Sequence, residues 1–154
     1  MTVEEENAAA AREIIDANQY MVLATADAVG TPWASPVYFA PHEYRDFFWV
    51  SRPEARHSRN ISARDGQAIA IVVFDSSVPV GAARAVYMSA VAREVAEDDS
   101  AAGLAVFSRR SLAHGAGEWT AKDVRPPAEL RLYQATATEH YILGARDERI
   151  PVTL

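Results

Sequence analysis

Cysteine is absent from this sequence of 154 residues. Its absence excludes disulfide bonds, zinc sites built from thiolates and catalysis by a thiol nucleophile. Long apolar segments are also lacking, and none approaches the roughly 18 residues of a membrane-spanning helix. The N-terminal segment MTVEEENAAAAREII is acidic where a secretory signal is basic. We therefore expect a cytoplasmic protein that does not enter a membrane.

Positive charge is scarce in the chain. It has 15 Lys and Arg against 21 Asp and Glu, a formal net charge of −6 and a pI of about 5.2. Nucleic acids and anionic membranes attract basic proteins, so neither is expected as a partner. The sequence also lacks a G-x-S-x-G nucleophile motif, a phosphate loop and a dinucleotide glycine fingerprint. Its histidines at 42, 114 and 140 show no ligand spacing with carboxylates, and we predict no metal site.

The length is that of one domain, and we predict a single domain over residues 1–154. Helical spacing and good helix formers predict helices at about 4–18, 53–64 and 97–114. Runs rich in β-branched and aromatic residues predict strands at 20–26, 33–40, 47–50, 68–74, 83–95, 130–137 and 138–144. Short antiparallel strands with a few flanking helices are typical of a mainly β protein, a barrel or sandwich rather than a doubly wound sheet.

Pro36 lies inside the second predicted strand. A turn at DAVG (27–30) joins this strand to the first, which predicts a hairpin. Proline cannot donate a ladder hydrogen bond, so we expect this strand at a sheet edge, at a bulge, or alongside something other than a strand.

The segment FFWVSRPEARHSRNI (47–61) brings basic residues into an acidic chain. Five of the 15 cationic side chains lie close together in sequence: Arg45, Arg52, Arg56, Arg59 and Arg64. SRPE (51–54) has the pattern of a capping box. A helix that begins there, and that Asp65 and Gly66 would end, directs N–H groups and its dipole toward an anion such as a phosphate.

Simpler interpretations of this segment stay open. Ser51 caps the helix without binding a ligand. Arg52 pairs with Glu54 or Asp46, and the other arginines form a solvated face. His57 is a structural hydrogen-bonding residue rather than a ligand.

Several segments carry a likeness to a known family through their order and spacing. They are LAT (23–25), WASPVY (33–38), FWVS (48–51), RHSRNI (56–61), AIAIVVFD (68–75) and RAVYMSAVAREV (84–95). Together they resemble the pyridoxamine 5′-phosphate oxidase-like family of flavin-binding split β-barrels, well over residues 12–95 and loosely over the remainder. The resemblance implies a six-stranded antiparallel split barrel that forms a homodimer with cofactor sites at the interface.

The resemblance also implies a site for flavin mononucleotide (FMN). The implied cofactor-binding residues are Ser35, Pro36, Val37, Tyr38, Val50, Ser51, Arg56 and His57. The first four run along the isoalloxazine ring, with backbone N–H groups near Ser35 and Val37 stabilising the reduced ring. The last four hold the ribityl chain and the phosphate. His57 stands where the family has lysine, so it supplies less charge at neutral pH.

The implied activity is that of an FMN-dependent oxidoreductase that transfers hydride to or from an unidentified small molecule, with no catalytic residue assigned. The 8-hydroxy-5-deazaflavin cofactor is the alternative to FMN. True pyridoxamine phosphate oxidases carry an Arg-x-His motif that is missing here, so vitamin B6 oxidation is not expected. Two other classes stay open: a non-catalytic protein that binds flavin, deazaflavin or heme, and an interaction module without a cofactor.

The segment 97–127 is predicted to cover one end of the barrel. It contains Arg109, Arg110 and Trp119, and in the functional interpretation it shapes a substrate pocket in which Tyr38 and Trp119 face the substrate. In the simpler interpretation it is a packing helix, with Leu104, Phe107 and Leu112 in the core.

Overall fold

The structure, a computed structural model, describes residues 1–63 and 67–154. Its helices are α1 (Val3–Ala17), α2 (Arg56–Ser62) and α3 (Ser100–Ala113), with short 3-10 turns at Glu97–Asp99 and Ala121–Val124. Its strands are β1 (Tyr20–Ala26), β2 (Pro32–Tyr38), β3 (Ala40–His42), β4 (Asp46–Ser51), β5 (Gln67–Phe74), β6 (Ala85–Glu94), β7 (Arg131–Leu143) and β8 (Arg149–Val152). Arg64, Asp65 and Gly66, which entered the predicted basic cluster and helix end, lie outside the described residues.

Helix α1 begins at a capping box in which the Glu5 N–H donates to Thr2 Oγ1 at 3.1 Å and the Thr2 N–H donates to the Glu5 carboxylate at 2.7 Å. Its buried side chains recur at helical spacing and are Ala8, Ala11, Ile14 and Ile15. This face covers the interior of the curled sheet and closes the main core. Among the described residues, no helix is both long enough and apolar enough to cross a membrane.

The described strands form one antiparallel sheet in the order β2-β1-β5-β6-β7-β4-β3, with β8 pairing to β7. Its concave face buries large side chains such as Trp49, Tyr133, Phe39 and Ile71. A second core lies on the other side of β4, where Leu104 and Phe107 of α3 pack on Phe48 and Leu132. The predicted class, a mainly β protein of the split-barrel type with flanking helices, is confirmed, with eight strands where six were expected.

The predicted hairpin of β1 and β2 is present, and β2 pairs with β1 alone within the described part of the chain. The Asp27 N–H donates to the Thr31 carbonyl, and the Phe39 N–H donates to the Gln19 carbonyl, both in register with the hairpin. Antiparallel hydrogen bonds alternate, so odd-numbered residues of β2 bond to β1 and even-numbered residues turn their backbone groups outward. Pro36 is outward, which confirms its position on an edge strand.

Three strand predictions differ from the structure. Residues 130–137 and 138–144 belong to one strand, β7, because a bulge at Thr138 absorbs the break in alternation: Ser89 faces Glu139 and Ala90 faces Ala137. The predicted strand 33–40 ends at Tyr38, and the chain then forms the short strand β3, which was not predicted. Strand β8 near the end of the chain was not predicted.

The helix predicted at 53–64 begins three residues later, at Arg56, because the capping box at SRPE does not form. Ser51 stays in β4, paired with Arg131, and its hydroxyl bonds to a side chain rather than to the first helical turn. Ala55 occupies the N-cap position without a side-chain bond. A helix of this length has a weaker macrodipole than the predicted one.

Helix α3 packs closely on β4. Gly103 touches the Phe48 ring, and a Cβ atom at this position would overlap that ring. Leu104 and Phe107 are buried as predicted, whereas Leu112 is 53% exposed, so its predicted core position is wrong.

Candidate cofactor site

A cavity of about 630 Å³ lies between the outer edge of β2 and the end of β4, beneath the C-terminal end of α3 and the segment that follows it. Its walls are Gln19, Tyr20, Pro36, Val37, Tyr38, Val50, Ser51, His57, Phe107, Ser111, His114, Ala116, Gly117, Glu118, Trp119 and Asp123. Residues distant in sequence therefore meet at one site, where a partly apolar wall faces a few polar groups.

Six of the eight residues predicted to bind the cofactor line this cavity: Pro36, Val37, Tyr38, Val50, Ser51 and His57. Ser35 is half-buried and is not among the lining residues. Arg56 is exposed at the start of α2 and also lies outside the cavity wall. The structure thus brings the two predicted segments together, apart from these two residues.

The outer edge of β2 offers a distinct set of backbone groups to the cavity. The alternation of hydrogen bonds along the ladder assigns the N–H groups of Ser35 and Val37 themselves to bonds with β1, so the donors expected near them must come from adjacent residues. The outward N–H groups belong to Ala34 and Tyr38, and Pro36 between them offers only its carbonyl. A flat ring along this edge would find a donor at Tyr38 and an acceptor at Pro36.

Ser51 and His57 form a buried polar pair in the cavity wall. The Ser51 hydroxyl and His57 Nε2 lie 2.9 Å apart, and both residues are at least nine-tenths buried. Burial lowers the pKa of His57 below its ordinary value of 6.5, so the imidazole is neutral at pH 7. The pair supplies hydrogen bonds to a ligand and adds no charge.

Arg56 is the arginine of the basic segment best placed for an anion. Its guanidinium carbon lies 4.6 Å from the centre of the Trp33 ring, an arrangement that fixes the side chain. Of the described carboxylates, none lies within 4.0 Å of it.

The remaining arginines of the segment are not gathered around the cavity. Arg52 pairs with Glu54 at 3.9 Å, as one interpretation predicted, and with Glu129 at 3.4 Å. Asp46 instead accepts hydrogen bonds from Gln134 and Thr136. Arg45 and Arg59 are exposed and do not line the cavity.

The opposite wall is aromatic and comes mostly from the covering segment. Tyr38 OH lies 2.6 Å from His114 Nδ1, and the Tyr38 ring makes edge contacts with Phe107 and Tyr20. Trp119 packs against Phe107 with ring centres 5.5 Å apart. Tyr38 and Trp119, predicted for the substrate side, therefore both line the cavity.

Two hydrogen bonds within the covering segment hold the residues that follow α3 against that helix. The Ser111 hydroxyl donates to the Gly117 carbonyl at 2.7 Å, and the Trp119 N–H donates to the Ser108 hydroxyl at 2.9 Å. The N-terminal part of α3 packs on β4, and its C-terminal end lines the cavity, so the segment combines the two predicted roles of packing and covering.

Arg110 of the covering segment lies behind the cavity wall, where it interacts with the Tyr38 side chain. It donates to the Asn18 carbonyl at 2.8 Å and lies 5.0 Å from the centre of the Phe39 ring, while Arg109 is exposed. Burial is the main cause that lowers the pKa of Arg110, and burial likewise raises the pKa of Tyr38. The residues that sequence reasoning missed are Tyr20, Phe107 and His114, since no local motif marks them.

No group of three or more histidine and carboxylate side chains within residues 1–63 and 67–154 is arranged to hold a metal ion. The histidine at 140 bonds to the Tyr44 carbonyl at 2.6 Å, outside the cavity. The residues present fit a flat, hydrogen-bonding organic group: an edge strand with free backbone groups, a neutral buried pair and aromatic walls.

The sequence matches the family model described as Pyridoxamine 5′-phosphate oxidase over residues 8–143. Among curated proteins, none matches the chain. Solved structures with the same fold include a heme binding protein from Mycobacterium smegmatis, with a TM-score of 0.73 and 22% identity. That match covers 96% of this chain and 57% of the other, so this chain spans less than two thirds of that protein.

Two further solved structures match along nearly their whole length. The heme storage protein HutZ from Vibrio cholerae has a TM-score of 0.67 and 20% identity, over 92% of this chain and 95% of its own. A protein from Clostridium acetobutylicum, related to general stress protein 26 and to the pyridoxinephosphate oxidase family, has a TM-score of 0.66 and 9% identity, over 99% and 97%. Likeness at these identities establishes a shared fold.

Proposed function

The chain belongs to the pyridoxamine 5′-phosphate oxidase family, as its sequence predicted, and from that premise we propose that it binds FMN and exchanges hydride with a small molecule. The observation that carries this proposal is the cavity at the outer edge of β2. It joins the two segments for which the resemblance implied ring and phosphate contacts, and it includes six of the eight implied residues.

In the proposed complex the ring lies along β2. The outward backbone groups of Pro36 and Tyr38 bond to its polar edge, and Val50 supports its apolar part. Ser51 and His57 donate or accept at the ribityl chain, and Arg56 pairs with the phosphate outside the main cavity. Since His57 is neutral at pH 7, Arg56 is the main positive charge for the phosphate.

When bound, FMN supplies the two-electron chemistry of hydride exchange. The chain positions the ring and shields it from water. Phe107, Trp119 and the residues between α3 and β7 form the wall that keeps solvent from the outer side of the cavity. The outward backbone groups of β2 and the aromatic wall orient the ring. Hydride exchange needs no side chain as an acid or base, and none is assigned.

We also propose that the protein is a homodimer, with its cofactor site bordered by the second copy. The outward face of β2, β1, β5 and β6 is uncovered by any described helix, and its central side chains carry no charge. They are Pro32, Ala34, Pro36, Val22, Ala24, Ala26, Ala68, Ala70, Val72, Phe74, Ser89 and Val91. A contiguous uncharged face of this kind is a typical interface core. Pro36 belongs both to this face and to the cavity wall, so a partner on the face would border the site.

The dimer has its own test. Ala70→Arg places a charge at the centre of the face and should convert a dimer into monomers in sedimentation equilibrium. Ala102→Arg, at an exposed position on α3, is the matched control and should leave the mass unchanged. A wild-type protein that sediments as a monomer, or an Ala70→Arg variant that stays dimeric, would contradict this assembly.

The cofactor is tested by titrating cofactor-free protein with FMN, riboflavin and the 8-hydroxy-5-deazaflavin cofactor, with quenching of ligand fluorescence as the readout. Micromolar or tighter binding of FMN, weaker binding of riboflavin and reduction of the bound FMN by a chemical reductant are expected. Preference for the deazaflavin would replace the cofactor and keep the reaction type. Binding of none would leave an interaction module as the function. We propose that the protein is cytoplasmic, because a chain without cysteine needs no oxidising compartment for disulfide formation.

Heme binding is the second candidate function, and His114 is the observation that favours it. His114 lies in the cavity wall with Nδ1 held by Tyr38 at 2.6 Å, which leaves Nε2 as the ring nitrogen available for iron. Two of the structures with this fold are heme binding and heme storage proteins. Titration with hemin separates the candidates: a sharp Soret band that His114→Ala abolishes supports heme, and unspecific broadening in both proteins counts against it.

A further inference from the structure

We propose that the aromatic end of the cavity selects a planar aromatic substrate that carries no negative charge. This inference rests on the proposed function, because it names the substrate class of that same site. The missing Arg-x-His motif argues only against one substrate, pyridoxamine phosphate. The present inference instead states which class of molecule the cavity favours.

The shape of this end favours a flat ring. Tyr20, Tyr38, Phe107 and Trp119 all line the cavity, and neighbouring rings meet edge to face at 6.1, 5.7 and 5.5 Å. Edge-to-face contacts of this kind hold each ring in one orientation. The four rings therefore form a rigid wall rather than a flexible apolar surface, and a rigid aromatic wall favours planar molecules.

The charge at this end is negative. The lining contains the carboxylates of Glu118 and Asp123 and no lysine or arginine from the described residues. Asp123 accepts hydrogen bonds from the Thr120 N–H and hydroxyl, and these bonds lower its pKa, so it is ionised at neutral pH. Glu118 is exposed and has no ion-pair partner among the described residues.

The cations nearest to these carboxylates stand outside the cavity wall: Lys122 helps to lower the pKa of Asp123, and Arg109 borders a neighbouring groove together with Glu118. Arg110 donates to the Asn18 carbonyl at 2.8 Å and also interacts with the Tyr38 side chain, but it is not itself among the residues that line the cavity. His57 in the wall is neutral at pH 7. Arg56, which stacks on Trp33 and interacts electrostatically with Asp27, lies outside the cavity wall next to His57, where the cofactor phosphate is proposed to bind. The formal net charge of −6 adds to the repulsion of anions.

The experiment compares two probes with the same ring system, 1,4-naphthoquinone and 1,4-naphthoquinone-2-sulfonate. Their dissociation constants are measured by equilibrium dialysis against the oxidised, FMN-loaded protein, where no turnover occurs, and against the cofactor-free protein. The chain has no cysteine, so the quinones form no thiol adducts. We expect the neutral probe to bind about tenfold more tightly than the sulfonate at low salt, with the ratio shrinking as salt is added.

The sulfonate group makes the probe less hydrophobic as well as negatively charged. Reversing the charge of a cavity residue separates these two effects and is therefore the decisive comparison. Glu118→Lys should tighten sulfonate binding by about three- to tenfold and leave the neutral probe within about twofold. Glu6→Lys makes the same charge change in the first turn of α1 and should alter neither of the two dissociation constants. Equal effects of the two variants, or a wild-type protein that prefers the sulfonate, would overturn the proposal.

The same data separate this inference from the proposed function. A protein that takes up no FMN overturns the proposed function, while discrimination by the cofactor-free protein that Glu118→Lys reverses still supports charge selection. A protein that binds FMN as proposed but shows no effect of Glu118→Lys overturns the charge selection alone.

Discussion

The two ends of the cavity contrast in how they are built. At the α2 end, Ser51 and His57 are six residues apart in sequence and share a buried hydrogen bond of 2.9 Å. At the α3 end, Tyr38 and His114 are 76 residues apart and share an exposed hydrogen bond of 2.6 Å. The first end is formed by one strand and the helix that follows it, whereas the second requires α3 to dock on the sheet.

In the proposed function, this difference separates the end that would hold the cofactor from the end that would admit the substrate. The α2 end is buried and rests on the main core, because Ile61 of α2 packs with Trp49 and Leu23. The α3 end rests on the smaller cluster around Phe48 and Phe107. Local opening is less costly where fewer apolar contacts must separate, so the α3 end is the part of the site expected to open first.

The largest expected effect comes from separating α3 from the sheet. Gly103→Val forces a branched side chain into the Phe48 ring and should destabilise the protein by about 1–3 kcal/mol in urea unfolding. Ala102→Val, at the neighbouring exposed position, introduces the same branched side chain without the clash and serves as the control. Helix propensity alone disfavours Ala102→Val and slightly favours Gly103→Val, so a larger loss in Gly103→Val reports the clash. FMN affinity should fall less than affinity for aromatic probes, since the α2 end stays intact. Equal stability of the two variants would show that α3 does not depend on this contact.

The next effect tests the α2 end through its charge. Arg56→Ala should weaken FMN binding by about tenfold and riboflavin binding by less than about twofold, because it removes a charge-assisted contact to the phosphate alone. Arg59→Ala removes an exposed arginine from the same helix and should change neither affinity. Equal losses for FMN and riboflavin after Arg56→Ala would place the phosphate elsewhere.

The α2 end was predictable from sequence, and the α3 end was not, for a physical reason. Ser51, Arg56 and His57 lie within one short segment, so a local pattern and a family resemblance could mark them together. His114, Phe107 and Tyr20 reach the cavity only after α3 docks and β1 pairs with β2. Tyr38 and Trp119 were marked individually, but the bond between Tyr38 and His114 depends on tertiary packing that no spacing encodes.

The fold was predicted better than its details. The runs YMVLATA and AIAIVVF, rich in strand-forming residues, and the turn at DAVG correctly predicted β1, β5 and the first hairpin. Local signals failed where tertiary contacts competed with them. Ser51 had the identity of a helix cap, yet its place in β4 beside β7 left its hydroxyl to His57. Residues 130–137 and 138–144 were predicted as two strands, yet pairing to β6 continues one strand through Thr138 as a bulge.

A third prediction concerns the pH dependence of the unfolding free energy, to which buried His57 is expected to contribute. Burial lowers the pKa of His57 in the folded state below 6.5. At a pH between the folded and the unfolded pKa of His57, the unfolded state binds more protons than the folded state. The contribution of His57 to stability is therefore complete above about pH 6.5 and is lost as the pH falls through the folded pKa. His57→Gln cannot titrate and should show a flatter decline in unfolding free energy on acidification. The histidine at 140, whose pKa burial also lowers, accounts for part of the remaining slope.

The control for this pH dependence is the exposed histidine at 42. Its replacement by glutamine should leave the slope of the wild type unchanged, in urea titrations performed from about pH 7 to 5. If both variants show the same slope, His57 is not held neutral by burial, and the charge assignment at the α2 end must be revised.

The smallest expected effect is at the α3 end, where Tyr38→Phe removes the hydroxyl and keeps the ring. The hydroxyl bonds to His114 at an exposed position and also interacts with Arg110, so its loss should cost only about 0.5–1 kcal/mol of stability. The Phe107 contact depends on the ring and should persist, so FMN affinity should change by less than about twofold. The readout that isolates this bond is the NMR shift of the His114 ring, which should move toward that of a free imidazole in Tyr38→Phe and stay in place in Tyr44→Phe, whose hydroxyl bonds to Asp16 instead. An unchanged His114 signal in Tyr38→Phe would mean that the two side chains do not bond in solution, and that the α3 end is held by ring packing alone.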